Sequence, residues 1–248
     1  MHLANVRSVA LALLPALLIS FSSAGAVTID DLSDQFPPNP DLPVSGRAII
    51  FVGYKCDGSA CPPGAMVTHS GSDAAFQSGL SGVLGGEREA VIHEVTGTAD
   101  AGIWGPGNVI SFNHNAGASA ILDLSYGVSV ELNADLTAGM ATALIVEVLS
   151  GDMYAGPRPV HCTITVTSGL GTGSETTASQ TVDLIDETQY EFPFTGFAGV
   201  DFTDVDRISY RFDASDYTSV DFSIGPLRTD EQVVGVEQST WGSIKSRF

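Results

Sequence analysis

An all-β, antiparallel architecture is the fold class that the 248-residue sequence predicts. Short runs rich in Val, Ile, Phe and Tyr recur along the chain, and turn residues such as Gly, Asn and Asp separate them. Helical periodicity is almost absent, whereas Ile208, Tyr210 and Phe212 alternate with polar residues in the two-residue period of a half-buried strand. About ten or eleven strands at this spacing predict a sandwich or a barrel.

The first segment, residues 1–26, has the pattern of a secretory signal peptide. Ser8 to Phe21 is almost wholly apolar, and Ala24-Gly25-Ala26 places small residues where a signal peptidase cuts. The sequence therefore predicts cleavage after Ala26 and a secreted mature protein. The apolar run is too short for a comfortable membrane span, and no second run of spanning length follows.

A proline-rich lead-in, residues 27–45, precedes the predicted β-sandwich domain of residues 46–230. Prolines such as Pro37 and Pro38 remove backbone donors, so the lead-in is expected to be an extended wrap rather than a central strand. The continuous apolar run Ala48–Val52 predicts a strand that is buried on both sides. Gly, Ser and Asp residues between Ser70 and Ser81 predict a surface loop.

The remaining strands follow in order, and turn residues separate them. Gly127 is expected to join two of them in a hairpin, and Gly169 to Ser179 is expected to be a flexible turn. The predicted strands are residues 90–95, 109–112, 119–126, 128–132, 142–149, 161–167, 180–185, 190–194, 207–213 and 220–224.

Arg88, which stands between Glu87 and Glu89 after two glycines, has two interpretations. In the first, Arg88 pairs with a carboxylate on a neighbouring strand and sets the register, while Gly85 and Gly86 allow close backbone approach. In the second, Glu87 or Glu89 joins a calcium site near the rim of the sandwich. The first is favoured, because buried or half-buried arginines in proteins are usually paired.

The charge balance disfavours two classes of partner. Lys and Arg number 10 against 29 Asp and Glu, which gives a formal net charge of −19. A field of that sign repels nucleic acids and anionic membrane surfaces. Asp201, Asp204 and Asp206 lie in or beside a turn and supply the oxygen ligands that a structural Ca²⁺ prefers. Aspartates that simply stabilise turns are the alternative.

The three cysteines predict one disulfide and one free thiol. Cys56 and Cys61 flank a four-residue turn-forming sequence, and closing so short a loop would stabilise by roughly 2 kcal/mol. A zinc site that adds His69 lacks a fourth ligand at any usual spacing. Cys162 alternates with polar residues in a predicted strand, so it is expected to point inward as a free, buried side chain.

Two aromatic residues in Gly-rich surroundings are candidates for sugar binding. Trp104 and Tyr154 are each expected in a loop, where a flat ring stacks on a pyranose face or, equally well, covers the end of the core. Motifs of hydrolases, metalloproteases and phosphate-binding loops are absent from the sequence, which predicts a non-catalytic protein. A glycosidase-type activity, which needs two carboxylates a few ångströms apart, is the alternative, since the acids are numerous, but their spacing selects no pair.

Two motifs carry a resemblance to a known group of proteins. Together with the signal peptide, V-L-G-G-E-R-E (83–89) and F-T-D-V-D-R-I-S-Y-R-F (202–212) resemble bacterial exported proteins, many of which carry PEP-CTERM sorting tails. Their bodies are similar to jelly-roll carbohydrate-binding modules, so the resemblance, over residues 46–227, implies a jelly-roll sandwich and export to the periplasm or the exterior. This sequence departs from the group because it lacks the Pro-Glu-Pro motif with its apolar span and basic cluster.

The segment 231–248 is expected to be a linker followed by an amphipathic tail. Trp241, Ile244 and Phe248 fall on one side at helical spacing and predict a short C-terminal helix. The tail either docks on an envelope component or folds back onto the sandwich. Two functions follow from the whole sequence: a secreted module that binds extracellular polysaccharide, or a structural, surface-associated protein that acts through self-association or its tail.

Overall fold

The computed structural model describes residues 25–37, 49–52, 54–56, 66–68, 72–104, 108–114, 116–152 and 159–231. In chain order the strands are β1 (Thr28–Asp30), β2 (Ile49–Val52), β3 (Tyr54–Cys56), β4 (Met66–Thr68), β5 (Asp73–Ser78), β6 (Glu87–Thr96), β7 (Ala99–Trp104), β8 (Val109–His114), β9 (Ser119–Tyr126), β10 (Ala143–Gly151), β11 (Val160–Ser168), β12 (Thr176–Leu184), β13 (Gln189–Pro193), β14 (Val205–Asp213), β15 (Phe222–Ile224) and β16 (Leu227–Thr229). The described residues also contain three 3-10 helices: Leu84–Gly86, Ala138–Met140 and Phe194–Gly196. Within these residues, no helix has the length and apolar character that crossing a membrane requires.

Two antiparallel sheets lie against each other across one apolar core. The eight-stranded sheet has the order β1-β16-β10-β15-β8-β7-β2, and β13 pairs with β10 beside this path. The six-stranded sheet has the order β12-β11-β14-β9-β6-β5, and β3 pairs with β4 in a separate two-stranded sheet. Every described pairing is antiparallel, so the all-β antiparallel sandwich is confirmed.

The core forms because each strand sends alternate side chains towards the opposite sheet. On β14, Ile208, Tyr210 and Phe212 are fully buried, whereas the residues between them are half-buried. Leu144 and Val146 of β10, in the other sheet, belong to the same buried cluster. The two-residue period that the sequence shows is therefore the period of burial in the sandwich.

Arg88 joins the two sheets at one end of the core. It is fully buried, and its Nη1 donates to Asp30 Oδ2 over 2.8 Å. Its Nε and Nη2 also donate to Gln77 Oε1, while the Tyr126 hydroxyl donates to the same Asp30 oxygen over 2.8 Å. The interpretation that Arg88 pairs with a carboxylate is confirmed, although the carboxylate belongs to β1 in the opposite sheet rather than to a neighbouring strand.

The lead-in beyond β1 wraps against the segment that precedes β6. The Asp31 amide donates to the Gly82 carbonyl over 2.9 Å, and Asp34 Oδ2 accepts from the amides of Ser81 and Gly82. A Cβ on Gly82 would lie 1.9 Å from Asp31 Oδ1, so only glycine allows this close approach. The described part of the lead-in thus contains a strand at one end of the sheet and a hydrogen-bonded wrap.

Two expectations about loops and hairpins are wrong. Asp73–Ser78, expected as part of a surface loop, forms β5, whose residues alternate between half-buried and exposed. Residues 128–132 form no strand, because the Leu132 amide donates to the Asp206 carbonyl instead of pairing with β9. At Gly127 the chain passes close to the backbone of β14. A Cβ at this position would lie 2.2 Å from the Asp206 carbonyl oxygen.

Other boundaries also differ from the sequence pattern. The turn expected from Gly169 to Ser179 ends earlier, because β12 begins at Thr176. Residues 99–104 form β7 between β2 and β8, so Trp104, which was expected in a loop, lies at the end of a strand. The expected strand over Ala48–Val52 is present as β2, which lies at the end of the described strand order. These elements, with several three-residue strands, raise the strand number above the predicted about ten or eleven.

Candidate functional site

The outer face of the six-stranded sheet, which points away from the core, is a broad polar surface. On β11 the buried Cys162 and Ile164 alternate with the half-buried Thr163 and Thr165. Successive side chains of a strand point to opposite faces, so the hydrophobic half of each strand builds the core and leaves a polar half outside. The same alternation recurs along β14, and on β12 half-buried residues alternate with exposed ones, so both strands extend this outer face.

Four hydroxyl side chains form a row that crosses the outer face at right angles to the strands. The pairing register places Ser179, Thr165, Ser209 and Ser125 side by side on β12, β11, β14 and β9. Thr165 Oγ1 lies 2.8 Å from Ser179 Oγ, and Ser125 Oγ donates to Ser209 Oγ over 3.3 Å. With strands about 4.8 Å apart, this hydroxyl row spans roughly 14 Å and offers both donors and acceptors.

The hydroxyl row leads to an exposed aromatic ring at the edge of the sheet. Glu89 lies beside Ser125, and Phe76 of β5 lies beside Glu89. Phe76 is 49% exposed, although burial of its ring would be favourable. A half-exposed ring can stack on the apolar face of a sugar, and the polar row beside the ring can form hydrogen bonds with the hydroxyl groups of the sugar.

A second pattern on the outer face is an arginine–hydroxyl grid of nine residues from β14, β11 and β12. Paired hydroxyls on β11 and β12 lie 2.8, 2.8 and 2.9 Å apart along this grid. The three rows are Arg207–Thr167–Thr177, Ser209–Thr165–Ser179 and Arg211–Thr163–Thr181. No carboxylate belongs to these three rows, but the next row on the same face, Asp213–His161–Asp183, carries two.

Carboxylates and histidines lie beside the grid rather than in it. Asp123 of β9 faces Arg211 in the register, and His93 Nε2 lies 2.7 Å from Asp123 Oδ2. The other carboxylate oxygen, Asp123 Oδ1, is buried and has no hydrogen-bond partner. Charged groups of both signs therefore meet at the β9 side of the grid.

His161 lies at another border of the grid, between two aspartates. Its Nδ1 is 2.7 Å from Asp183 Oδ1, and its Nε2 is 3.4 Å from Asp216 Oδ2. The hydrogen bond to Asp183, together with the charges of both aspartates, raises the pKa of His161 above its ordinary value. This corner of the outer face thus holds a histidine that is more readily protonated than usual.

Of the two aromatic residues singled out by the sequence, the structure describes only the backbone of Trp104. The backbone of Trp104 ends β7 in the eight-stranded sheet, opposite Val109, and its side chain lies outside the described part of the structure. Tyr154 also lies outside the described residues, as do the tail residues Trp241, Ile244 and Phe248. The expectation of a loop position for Trp104 is replaced by a position at the end of a strand.

The three aspartates proposed for calcium each have a separate environment. Asp201 Oδ1 accepts from the amide and the hydroxyl of Thr203, which holds the pKa of this carboxyl below its ordinary value. Asp206 is buried, and its Oδ2 accepts from the Leu170 amide over 2.6 Å. Asp204 is exposed. In the portion of the chain that the structure describes, no group of three or more His, Cys, Asp or Glu side chains is arranged to hold a metal.

The described cysteines have different positions. Cys162 is a free, fully buried thiol on β11, as the alternation predicts, and burial raises its pKa. Cys56 ends β3, but Cys61 and His69 lie outside the described residues, so the disulfide and its zinc alternative stay predictions.

Sequence reasoning missed the outer face itself. The alternation of Thr163, Thr165 and Thr167 with apolar residues is a signal that one side of this strand carries hydroxyls. That signal does not say which strands lie on either side. The hydroxyl row and the grid exist only because β11 lies between β12 and β14.

Comparisons with known proteins add similarities of fold. No family model matches the chain, and no curated protein matches it. A family 11 carbohydrate-binding module from Clostridium thermocellum, in complex with a β-1,3-1,4-mixed-linked tetrasaccharide, has 13% identity and a TM-score of 0.34 over 65% of this chain and 96% of that chain. The solution structure of CtCBM11 has 13% identity and a TM-score of 0.35 over 85% and 98%.

An agarase, AgWH50C, has 9% identity and a TM-score of 0.35 over 83% of this chain and 25% of that chain. At such low identities and TM-scores, these similarities carry no argument about the function of this chain. The β-sandwich assignment rests on its own strand pairing.

Proposed function

We propose that this chain is a secreted, non-catalytic β-sandwich that binds extracellular polysaccharide on the outer face of its six-stranded sheet. The observation that carries this proposal is the hydroxyl row that leads through Glu89 to the exposed ring of Phe76. Sugar recognition needs hydrogen-bonding side chains and a flat apolar surface close together.

The shape of the outer face favours an extended ligand over a small one. The face crosses six strands, and at about 4.8 Å per interval it measures roughly 24 Å from β12 to β5. A chain of sugars that lies across the strands contacts the hydroxyl row and reaches the ring at its end. The polar groups are set by regular strand pairing, so little of the binding energy is used to order them.

A polysaccharide panel with two matched variants tests this proposal. Phe76→Ala removes the exposed ring, and we expect roughly three- to tenfold weaker binding, the range that loss of an aromatic contact gives. Leu149→Ala is the control, because Leu149 is 42% exposed but belongs to β10 of the other sheet. Failure to retain any polysaccharide contradicts the proposal, and equal losses in both variants contradict the assignment of the face.

A second candidate is a structural protein that acts through self-association. The observation that favours it is β12, a nine-residue strand at the end of the described sheet order whose register with β11 has no bulge. A long, regular edge strand is a template for pairing with another chain. Sedimentation across a range of concentrations tests this candidate, and a monomer at every concentration contradicts it. Deletion of residues 241–248 tests the contribution of the tail in the same assay.

A further inference from the structure

Glu89 is the charged residue in the line that runs from the exposed ring of Phe76 along the hydroxyl row. In the register it lies between Phe76 of β5 and Ser125 of β9. Side chains that lie directly opposite each other on antiparallel strands have Cβ atoms about 4.5–5.5 Å apart. A sugar that stacks on the Phe76 ring therefore presents its hydroxyl groups to the Glu89 carboxylate.

The Glu89 carboxylate has acceptor capacity left for a ligand. The residue is half-buried, and among the residues that the structure describes its side chain forms no hydrogen bond or ion pair. The neighbouring Ser125 directs its single hydroxyl proton to Ser209 Oγ, 3.3 Å away. A carboxylate accepts hydrogen bonds and donates none, so once a ligand displaces water only N–H or O–H groups of that ligand satisfy it. Adjacent hydroxyl groups of a sugar supply two such donors.

The positions next to Glu89 on the outer face include two acids and no base. Glu87 is one of the acids, and its Oε2 is buried and has no hydrogen-bond partner in the described part of the chain. Arg88, which stands between the two glutamates in the sequence, points into the core and pairs with Asp30. The seven neighbouring positions in the register are Ala74, Phe76 and Ser78 of β5, Glu87 and Val91 of β6, and Asp123 and Ser125 of β9.

The nearest cations on the outer face lie further from Glu89 and have other contacts. Arg207 donates to two backbone carbonyls, those of the residues that directly follow β9. His93 Nε2 lies 2.7 Å from Asp123 Oδ2, and Arg211 lies opposite the same aspartate in the register. By strand geometry, the Cα atoms of these three residues are roughly 12 Å or more from that of Glu89. The charge that a sugar on the ring meets first is therefore negative.

We propose that Glu89 makes this face selective for neutral polysaccharides, because it accepts hydrogen bonds from adjacent hydroxyl groups of the sugar on Phe76 and repels polymers that carry acid groups. Hydrogen bonds to a charged acceptor are stronger than those to the neutral hydroxyls of the row. An acid group of the ligand at the same place would lie well within the Debye length of about 8 Å, so physiological salt does not remove the repulsion. This inference rests on the proposed polysaccharide binding, and it names the ligand class and the residue that determines it.

The test compares polymers that share a backbone and differ in charge. Glucan, galactan, mannan and xylan are each measured unsubstituted, as a neutral hydroxyethyl derivative and as a carboxymethyl derivative with the same degree of substitution. The two derivatives block the same fraction of hydroxyl groups, so their difference reports charge. Calorimetric titration of the full chain at about 0.15 M salt gives the affinities. For a backbone that is retained, we expect the hydroxyethyl form to bind at least about tenfold more tightly than the carboxymethyl form.

Glu89→Gln keeps the size of the side chain and removes its charge. It should bind each retained neutral polymer about three- to tenfold more weakly, because charge-assisted hydrogen bonds become ordinary ones, and the preference over the carboxymethyl form should largely disappear. Glu191→Gln is the matched control, since Glu191 is an exposed residue of β13 in the eight-stranded sheet. The control removes the same charge from the molecule and should leave affinity and preference unchanged.

Melting temperatures establish that both variants are folded. Equal affinities of Glu89→Gln and Glu191→Gln for every retained polymer overturn the inference, as does binding of a carboxymethyl form by the unaltered protein that is as tight as that of its neutral counterpart. Either result leaves polysaccharide binding itself intact, because Phe76→Ala tests that proposal separately. If no polymer is retained in any form, both proposals fail.

Discussion

Arg88 is the residue on which the described N-terminal segment depends. It contacts Asp30 of β1, Gln77 of β5 and the backbone carbonyl of Asp34 in the wrap that follows β1. Burial raises the pKa of the Asp30 carboxyl, and the charge of Arg88 opposes this effect. The ion pair therefore stabilises the fold only while both partners are present, because either one alone is a buried, unpaired charge.

Removing the Arg88 side-chain charge should destabilise the protein strongly. Arg88→Met leaves Asp30 buried without its cation, and the free energy of unfolding should fall by about 3–5 kcal/mol. Arg228→Met is the matched control, because the hydrogen bonds of Arg228 within the described residues are both 3.4 Å long, and it should cost about 1 kcal/mol or less. Urea unfolding measures both, and similar losses contradict the role of the ion pair.

Two histidines should titrate on opposite sides of their ordinary pKa of 6.5. Asp183 and Asp216 raise the pKa of His161, whereas burial lowers that of His114. The stability that protonated His161 contributes is fully present below pH 6.5 and is lost as the pH rises through its higher folded-state pKa. Proton NMR titration measures both values.

Asp183→Asn provides the control for this titration. It should lower the pKa of His161 towards 6.5, because the hydrogen bond between His161 Nδ1 and the Asp183 carboxylate is lost. The pKa of His114 should not change. A value for His161 at or below 6.5 in the unaltered protein contradicts the proposed contacts.

Among the elements, the segment that follows β9 determines how closely the chain passes the neighbouring strand β14. Gly127 has φ of 78° and passes against the backbone of β14, where no side chain fits. The chain then continues as bends, and the Ala134 amide donates to the Val205 carbonyl over 3.0 Å. A tight crossing of backbones, rather than a hairpin, therefore follows β9.

Gly127→Ala should destabilise the protein more than an alanine at another left-handed glycine. Gly171 has φ of 72° but open space where a Cβ would stand, so Gly171→Ala should cost only about 1–2 kcal/mol of backbone strain. Gly127→Ala carries the same strain and adds a clash with Asp206 O, so a further roughly 1–3 kcal/mol is expected. Thermal unfolding compares them, and equal losses show that the close approach is unimportant.

At the scale of the whole molecule, net charge is the dominant electrostatic property. A formal charge of −19 produces self-repulsion, which destabilises a compact chain. Raising NaCl from about 0.01 M to about 0.15 M shortens the Debye length from about 30 Å to about 8 Å. We therefore expect the melting temperature to rise over this range, and a constant or falling value contradicts the expectation.

Calcium chloride at matched ionic strength separates screening from specific binding. The calcium expectation for Asp201, Asp204 and Asp206 stays a prediction, and it requires a melting temperature above the one in NaCl, because a ligand that binds only the folded state stabilises it. Asp201→Asn should remove that additional rise. Identical melting temperatures in the two salts contradict calcium binding.

The sequence by itself determined the properties that depend on local side-chain alternation. The alternating residues from Ile208 to Phe212 indicated an antiparallel sandwich strand, and the position of Cys162 indicated an inward, free thiol. The pairing of Arg88 also followed locally, since a buried guanidinium needs a carboxylate. Each of these conclusions uses only the two-residue period of a strand or the chemistry of a single side chain.

Only the tertiary structure decided which side chains are neighbours across strands. On β11, Thr165 belongs to the candidate site because Ser179 lies beside it on one neighbouring strand and Ser209 on the other. These residues are 14 and 44 positions away from Thr165 in the sequence. Alternation tells which face a residue occupies, but strand order depends on pairing and packing that are spread over the whole chain. The candidate site is a property of that order, because the hydroxyl row and the grid run across strands instead of along them.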